Sequence, residues 1–137
     1  MTPQEQLRER TKKFAVRIVR LCHALPDEWD VRELGKQLLR SGTSVAANYR
    51  GCARARSDKE FCSKMGLVVE ESDESQLWIE LLPEAHPVVD PVLHTALLKE
   101  AGELTAIFTA SYKTARSNME KRKAEQKKTR AKPSARA

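Results

Sequence analysis

Three glutamates, Glu70, Glu71 and Glu74, crowd one short segment beside Ser72, and an upstream segment offers Arg40, Ser41, Ser44 and Asn48. Clustered carboxylates on helices can hold a pair of metal ions or divide the work of a general acid and a general base. Both chemistries need partners that this chain withholds. A di-metal bundle site draws on Glu-x-x-His pairs, whereas His23 follows Arg20 at that spacing, and His86 and His94 follow Pro83 and Pro91. No glycine-rich phosphate loop is present. Cys22, Cys52 and Cys62 form no Cys-x-x-Cys pair and read as small buried residues in a reducing compartment. The expectation is therefore no catalytic residue, no metal and no cofactor, with the three histidines solvated near helix ends or loops.

The chemistry that remains is of two kinds. Arg40, Ser41, Ser44, Asn48, Glu70, Glu71, Ser72 and Glu74 are the components of a structural polar layer, because like charges four residues apart disfavour a helix unless a cation answers them. Cations form the second kind. Arg50, Arg54 and Arg56 cluster before Ser57, and Lys121, Arg122, Lys123, Lys127, Lys128, Arg130 and Lys132 fill the last stretch. Such clusters fit a phosphate backbone. Residues 121–137 hold eight Lys or Arg against one Glu, a net of +7, so the remainder of a chain whose total is +6 carries a net of −1.

The elements that carry these residues are four helices. Thr2 with Pro3 and Glu5, Asp30 with Glu33, Ser57 with Glu60, and Asp90 with Pro91 are four start signals. Pro26 stops the first helix, and Pro83 with Pro87 stops the third. Between these signals the apolar residues step by three and four, as in Leu7, Thr11, Phe14, Ile18, Leu21 and Leu25 or in Leu97, Ala101, Leu104 and Phe108. The second and third helices keep the spacing, but their middles are serine and asparagine. The expected fold is all-α, an up-down-up-down antiparallel four-helix bundle over residues 1–120, with helices at about 3–25, 31–56, 58–82 and 91–123, and a basic, partly disordered tail over 121–137. An antiparallel hairpin about Ser57 pairs residues whose numbers sum to about 114, which sets Arg40 level with Glu74. Trp29 and Trp78 read as packing or interface anchors. Surplus apolar residues such as Val16, Val19, Leu98 and Ile107 call for a homo-oligomer. No apolar run approaches the ~18 residues of a membrane span, and the start of the chain lacks a secretory signal, so a cytoplasmic protein with no membrane partner is expected.

The run RSGTSVAANYRGCARARS followed by DKEFCSKMGLVVEESDESQLWIELL resembles the bacterial four-helix bundle proteins, also called the 23S rRNA intervening-sequence protein family. The resemblance spans residues 12–115, and Arg40, Ser41, Ser44, Asn48, Arg54, Arg56, Ser57, Phe61, Glu71, Glu74, Trp78 and Leu81 fall on its pattern. Gly51 departs from it, where an acidic residue is common. The resemblance implies a four-helix bundle assembled into a homopentamer, with no catalytic residues to carry over. It also implies kinship with the accessory protein of diversity-generating retroelements, and hence RNA, DNA, or a reverse transcriptase or other nucleic-acid enzyme as partner. Two functions follow as expectations. One is a non-enzymatic oligomer that binds nucleic acid or a nucleic-acid-processing partner through basic surfaces; the other is a protein-binding scaffold with no nucleic-acid role.

Overall fold

The computed structural model describes residues 1–87 and 90–131. They form a four-helix bundle: α1 Pro3–Ala24, α2 Trp29–Ala53, α3 Asp58–Ala85 and α4 Pro91–Ala131. No strand is present among the described residues.

Three of the four expected caps operate at the helix starts. The Thr2 hydroxyl accepts from the Glu5 amide at 3.1 Å, and the Glu5 carboxylate accepts from the Thr2 amide at 3.1 Å. At α3 the Ser57 hydroxyl accepts from the Glu60 amide at 3.0 Å, and at α4 the Asp90 carboxylate accepts from the Leu93 amide at 3.0 Å. The second start departs from expectation. Glu28 stands at the N-cap without a side-chain bond, and Asp30 lies inside the first turn, accepting from the Val31 amide at 2.9 Å. A carboxylate there is favoured by the helix dipole, so the turn forms without the box.

Other boundaries shift as well. α2 ends at Ala53 rather than near 56. α3 passes through Pro83 to Ala85, with the His86 amide donating to the Leu82 carbonyl at 2.9 Å, so the proline removes one bond without ending the helix. α4 continues past 123 to Ala131. Its last turns contain Ala, Lys, Arg, Glu and Gln, which are strong helix formers whether or not they bury anything. Residues 132–137, Lys132 among them, lie outside the described residues.

Consecutive helices pair residues whose numbers have a nearly constant sum, which is the mark of antiparallel neighbours. Arg40 meets Glu74, Ser41 meets Ser75, and Gly51 faces Lys64 across α2 and α3. Gly66 faces Tyr112 and Gly102 faces Gln76 across α3 and α4. Gly35 faces Leu25 and Gly42 faces Ile18 across α1 and α2. The core joins Phe14, Ile18 and Leu21 of α1 to Leu38, Val45 and Tyr49 of α2, Val68 and Ile79 of α3, and Leu97, Leu104 and Phe108 of α4. No helix among the described residues is long and apolar enough to cross a membrane.

Candidate functional site

Small side chains in the middle of α2 bring the helices close. A methyl group on Gly42 would overlap Ile18 Cδ1 and lie 3.2 Å from Ile18 Cγ2, in a core where Ile18 is fully buried. One residue away, Ser41 faces Ser75 of α3, both wholly buried, with their hydroxyl oxygens 2.9 Å apart. Ser75 also lies 2.8 Å from the Glu71 carbonyl. Each hydroxyl has one proton. Ser41 in turn lies 3.3 Å from the Leu38 carbonyl, so the protons run either from Ser75 to Ser41 and on to Leu38 or from Ser41 to Ser75 and on to Glu71, and both hydroxyls are satisfied either way.

On the rim of this waist, Arg40 Nη2 donates to Glu74 Oε1 at 2.6 Å, and Nη1 lies 3.7 Å from Glu71 Oε1. Trp78 Nε1 donates to the same Glu74 oxygen at 3.2 Å. The Arg40 side chain is 55% exposed, against 17% for Glu71, so the pair is a half-open bridge. Burial pushes the Glu71 carboxyl above its ordinary range; Arg40 pulls it down, while Glu74 and Glu70 push it up. Glu71 Oε2 and Ser72 Oγ are buried without a hydrogen-bond partner among the described residues. Ser44 and Asn48 are half-buried, and Glu70 is exposed. Ser75 completes the layer in place of Ser72, one helical turn from the position the hairpin register suggested. Its stripe position at 68, 72, 75 and 79 was the available signal.

The histidines differ from expectation. His23 is exposed, but His94 is buried and burial lowers its pKa from the ordinary value. His86 is half-buried with Nε2 3.2 Å from Glu28 Oε2. The reason is periodicity: with the helix starting at Pro91, His94 stands three residues before Leu97 and takes the next place on the inward stripe. Sequence reasoning also missed an ion cluster between α1 and α4, where Arg10 Nη2 reaches Glu100 and Glu103 at 2.6 Å each. Its signal was a pair of glutamates three apart on α4. Cys52 and Cys62 are buried and Cys22 is half-buried, with burial pushing the Cys22 and Cys52 thiols up to about 11, far from a nucleophilic thiolate. Among the described residues no three His, Cys, Asp or Glu converge as metal ligands.

The cations gather elsewhere. Arg50, Arg54 and Arg56 are exposed at the α2–α3 turn, Arg56 lying 3.5 Å from Glu60. Arg122 of α4 pairs with Asp58, the first residue of α3. That bridge brings the turn and the far half of α4 to the same end of the bundle, although its two residues lie 64 positions apart in sequence. Every residue from Glu120 to Ala131 is exposed, and Lys121, Lys123, Lys127, Lys128 and Arg130 make no ion pair with a described residue.

The family model of the 23S rRNA-intervening sequence proteins matches residues 4–110. The chain belongs to that family. The match covers α1, α2, α3 and the first half of α4, and it ends before the basic extension begins. A crystal structure of a protein of unknown function from the S23 ribosomal protein family of Bacteroides thetaiotaomicron is similar to the chain at 28% identity and a TM-score of 0.73. The likeness covers 82% of this chain and 99% of that one. No functionally curated protein matches.

Proposed function

We propose that this chain is a non-enzymatic, self-associating four-helix bundle that binds nucleic acid, or a nucleic-acid-processing partner, through the basic surface at one end of the molecule. The observation that carries this reading is the Asp58–Arg122 bridge, because it merges Arg50, Arg54 and Arg56 with Lys121, Arg122, Lys123, Lys127, Lys128 and Arg130 into one exposed field. Lys132 follows directly in the sequence and adds to the same charge. The opposite end carries Asp27, Glu28, Asp30, Glu33, Glu84 and Asp90, so an anionic polymer is drawn to one pole and repelled from the other. The family's name supports a nucleic-acid setting. A non-enzymatic role fits the waist, whose best-placed carboxylate, Glu74, is held by Arg40 and Trp78.

Titration of the full chain against RNA and DNA tests the reading: affinity should fall linearly with log salt, and removing residues 121–137 should flatten that slope by about 0.9 for each phosphate that the truncated chain no longer neutralises. Absence of binding at low salt rejects it. Self-association is supported by Val16, Leu39, Leu67 and Leu77, which remain more than a third exposed, and the pentamer is the form that the resemblance implies. Light scattering should give five times the 15.5 kDa chain mass, and a monomer would remove that part. A specific observation favours the scaffold reading as the alternative. Trp29 is 74% exposed at the acidic end, where a protein partner could bury it. A pull-down that survives nuclease and removal of residues 121–137 but not Trp29→Ala would favour it.

A further inference from the structure

We infer that the end of α4 is a groove-inserting helix whose ligand is double-stranded DNA, entered through the major groove without base-specific contacts. The inference rests on the nucleic-acid reading above and adds the form of the ligand. Three observations carry it. First, Arg122 is level with the start of α3, so 123–131 continues past the bundle for nine residues, or about 13 Å of helix. Second, the cations surround this helix. Each residue advances about 100°, which puts Lys123, Lys127 and Arg130 on one side, in line with Arg116, and puts Lys121 and Lys128 on nearly the opposite side. Glu125 lies between Lys121 and Lys128, and Glu120 is tied to Arg116 at 3.4 Å, so both sides keep a net positive charge. A single strand or a flat anionic surface touches one side of a helix. A major groove presents phosphates on both walls, and its width of about 12 Å accepts a helix about 10–12 Å across.

The third observation is that the projecting helix offers no stacking platform. Residues 113–137 and 50–60 contain no Phe, Tyr or Trp. The aromatics nearest this end are Tyr49, which is buried against Phe108 at a 5.5 Å centroid distance, and the half-buried Phe61 and Tyr112. Proteins that hold single strands rely on aromatic faces for their bases, and the projecting helix has none, the half-buried Phe61 lining a cleft with Asp58 and Arg122 instead. A-form RNA duplexes are disfavoured for a separate reason: their major groove is deep and too narrow for side chains to read.

Anisotropy titrations of the full chain against a short DNA duplex, the RNA duplex of the same sequence and the single DNA strand test the inference. The DNA duplex should bind about tenfold or more tightly than either of the others at matched salt. Methyl green, a major-groove ligand, should compete, and the minor-groove ligand netropsin should not. The charge-reversed variants Lys121→Glu/Lys128→Glu and Lys123→Glu/Lys127→Glu/Arg130→Glu should each weaken the duplex complex, with helix content by circular dichroism unchanged. A preference for the RNA duplex or the single strand overturns the inference, as does wild-type affinity in either face variant. Those outcomes leave the broader nucleic-acid reading standing, whereas failure to bind any of the three ligands removes both.

Discussion

Polar residues occupy two regions of this molecule for opposite reasons. At the waist the central ones are short, buried and paired within the fold, Ser41 with Ser75, while Arg40, Glu74 and Trp78 answer one another on the rim. At the basic end they are long, point outward and leave their charge to solvent. A buried polar group must be paired or it costs roughly 1–3 kcal/mol, so the waist ties polarity to stability. An exposed lysine on a helix that packs against nothing is free of that requirement. Substitutions inward should therefore change stability, while substitutions outward should change binding alone.

The strongest test of the inward side is Gly42→Val. Its branched side chain would enter the volume of Ile18, which has no exposed surface into which to retreat. Overpacking of this kind costs typically 1–3 kcal/mol, and the upper part of that range is expected. The control is Lys128→Val on the extension, which should stay within about 0.5 kcal/mol of wild type in urea melts. Equal stabilities for the two variants would dissolve the contrast.

The next effect depends on pH. His94 is buried and its folded pKa is lowered, so the folded state resists a proton that the unfolded state accepts. Above the ordinary value of 6.5 both states are neutral and the group is silent; as pH falls below it, the unfolded state gains protons and stability declines. The slope from one group cannot exceed about 1.4 kcal/mol per pH unit. The discriminating measurement is the difference between wild type and His94→Leu, which leaves the His86–Glu28 contact in place. Thermal melts from pH 7 to 5 should fall more gently for the variant.

A smaller effect belongs to the serine pair. Ser41→Ala and Ser75→Ala should each cost about 1 kcal/mol, and the double variant should cost less than their sum by ~0.5 kcal/mol or more, because the first change already removes the contact that the second would remove. Strict additivity would mean that the two hydroxyls, 2.9 Å apart, do not communicate.

These differences also show what the sequence made legible. Helix number, the apolar stripes and the Arg40–Glu74 level were readable because each follows from local periodicity or from one hairpin register. What escaped needed a longer view. His94 looked like a loop residue after a proline until the stripe was carried one step toward the N-terminus. α4 runs past the expected 123 to Ala131 because Ala, Lys, Arg and Glu hold a helix locally without burial. Arg10 and its glutamates join the first helix to the last, a pairing no nearest-neighbour register can specify. Asp58 and Arg122, on which the basic field depends, do fall on the register of two consecutive helices, the one that also sets Gly66 against Tyr112.

The smallest effect belongs to the Arg40–Glu74 bridge. Were Arg40 and Glu74 sealed in the core, removing either would cost several kcal/mol. With Arg40 55% exposed, solvent screens the bridge, and Arg40→Ala at neutral pH should cost less than about 1 kcal/mol. Its effect should instead appear in Glu71. That carboxyl is already pushed up by burial and restrained by Arg40, so losing the guanidinium should raise its pKa further. A group with a raised folded pKa becomes less unfavourable as it takes its proton, so the cost of Arg40→Ala should shrink as pH falls through the folded pKa of Glu71 towards the ordinary value of 4.5. Chemical melts of wild type and variant at pH 7 and pH 5 measure this. A cost that grows on acidification would mean that Arg40 acts on the fold through something other than Glu71, and the waist would then need a different electrostatic account.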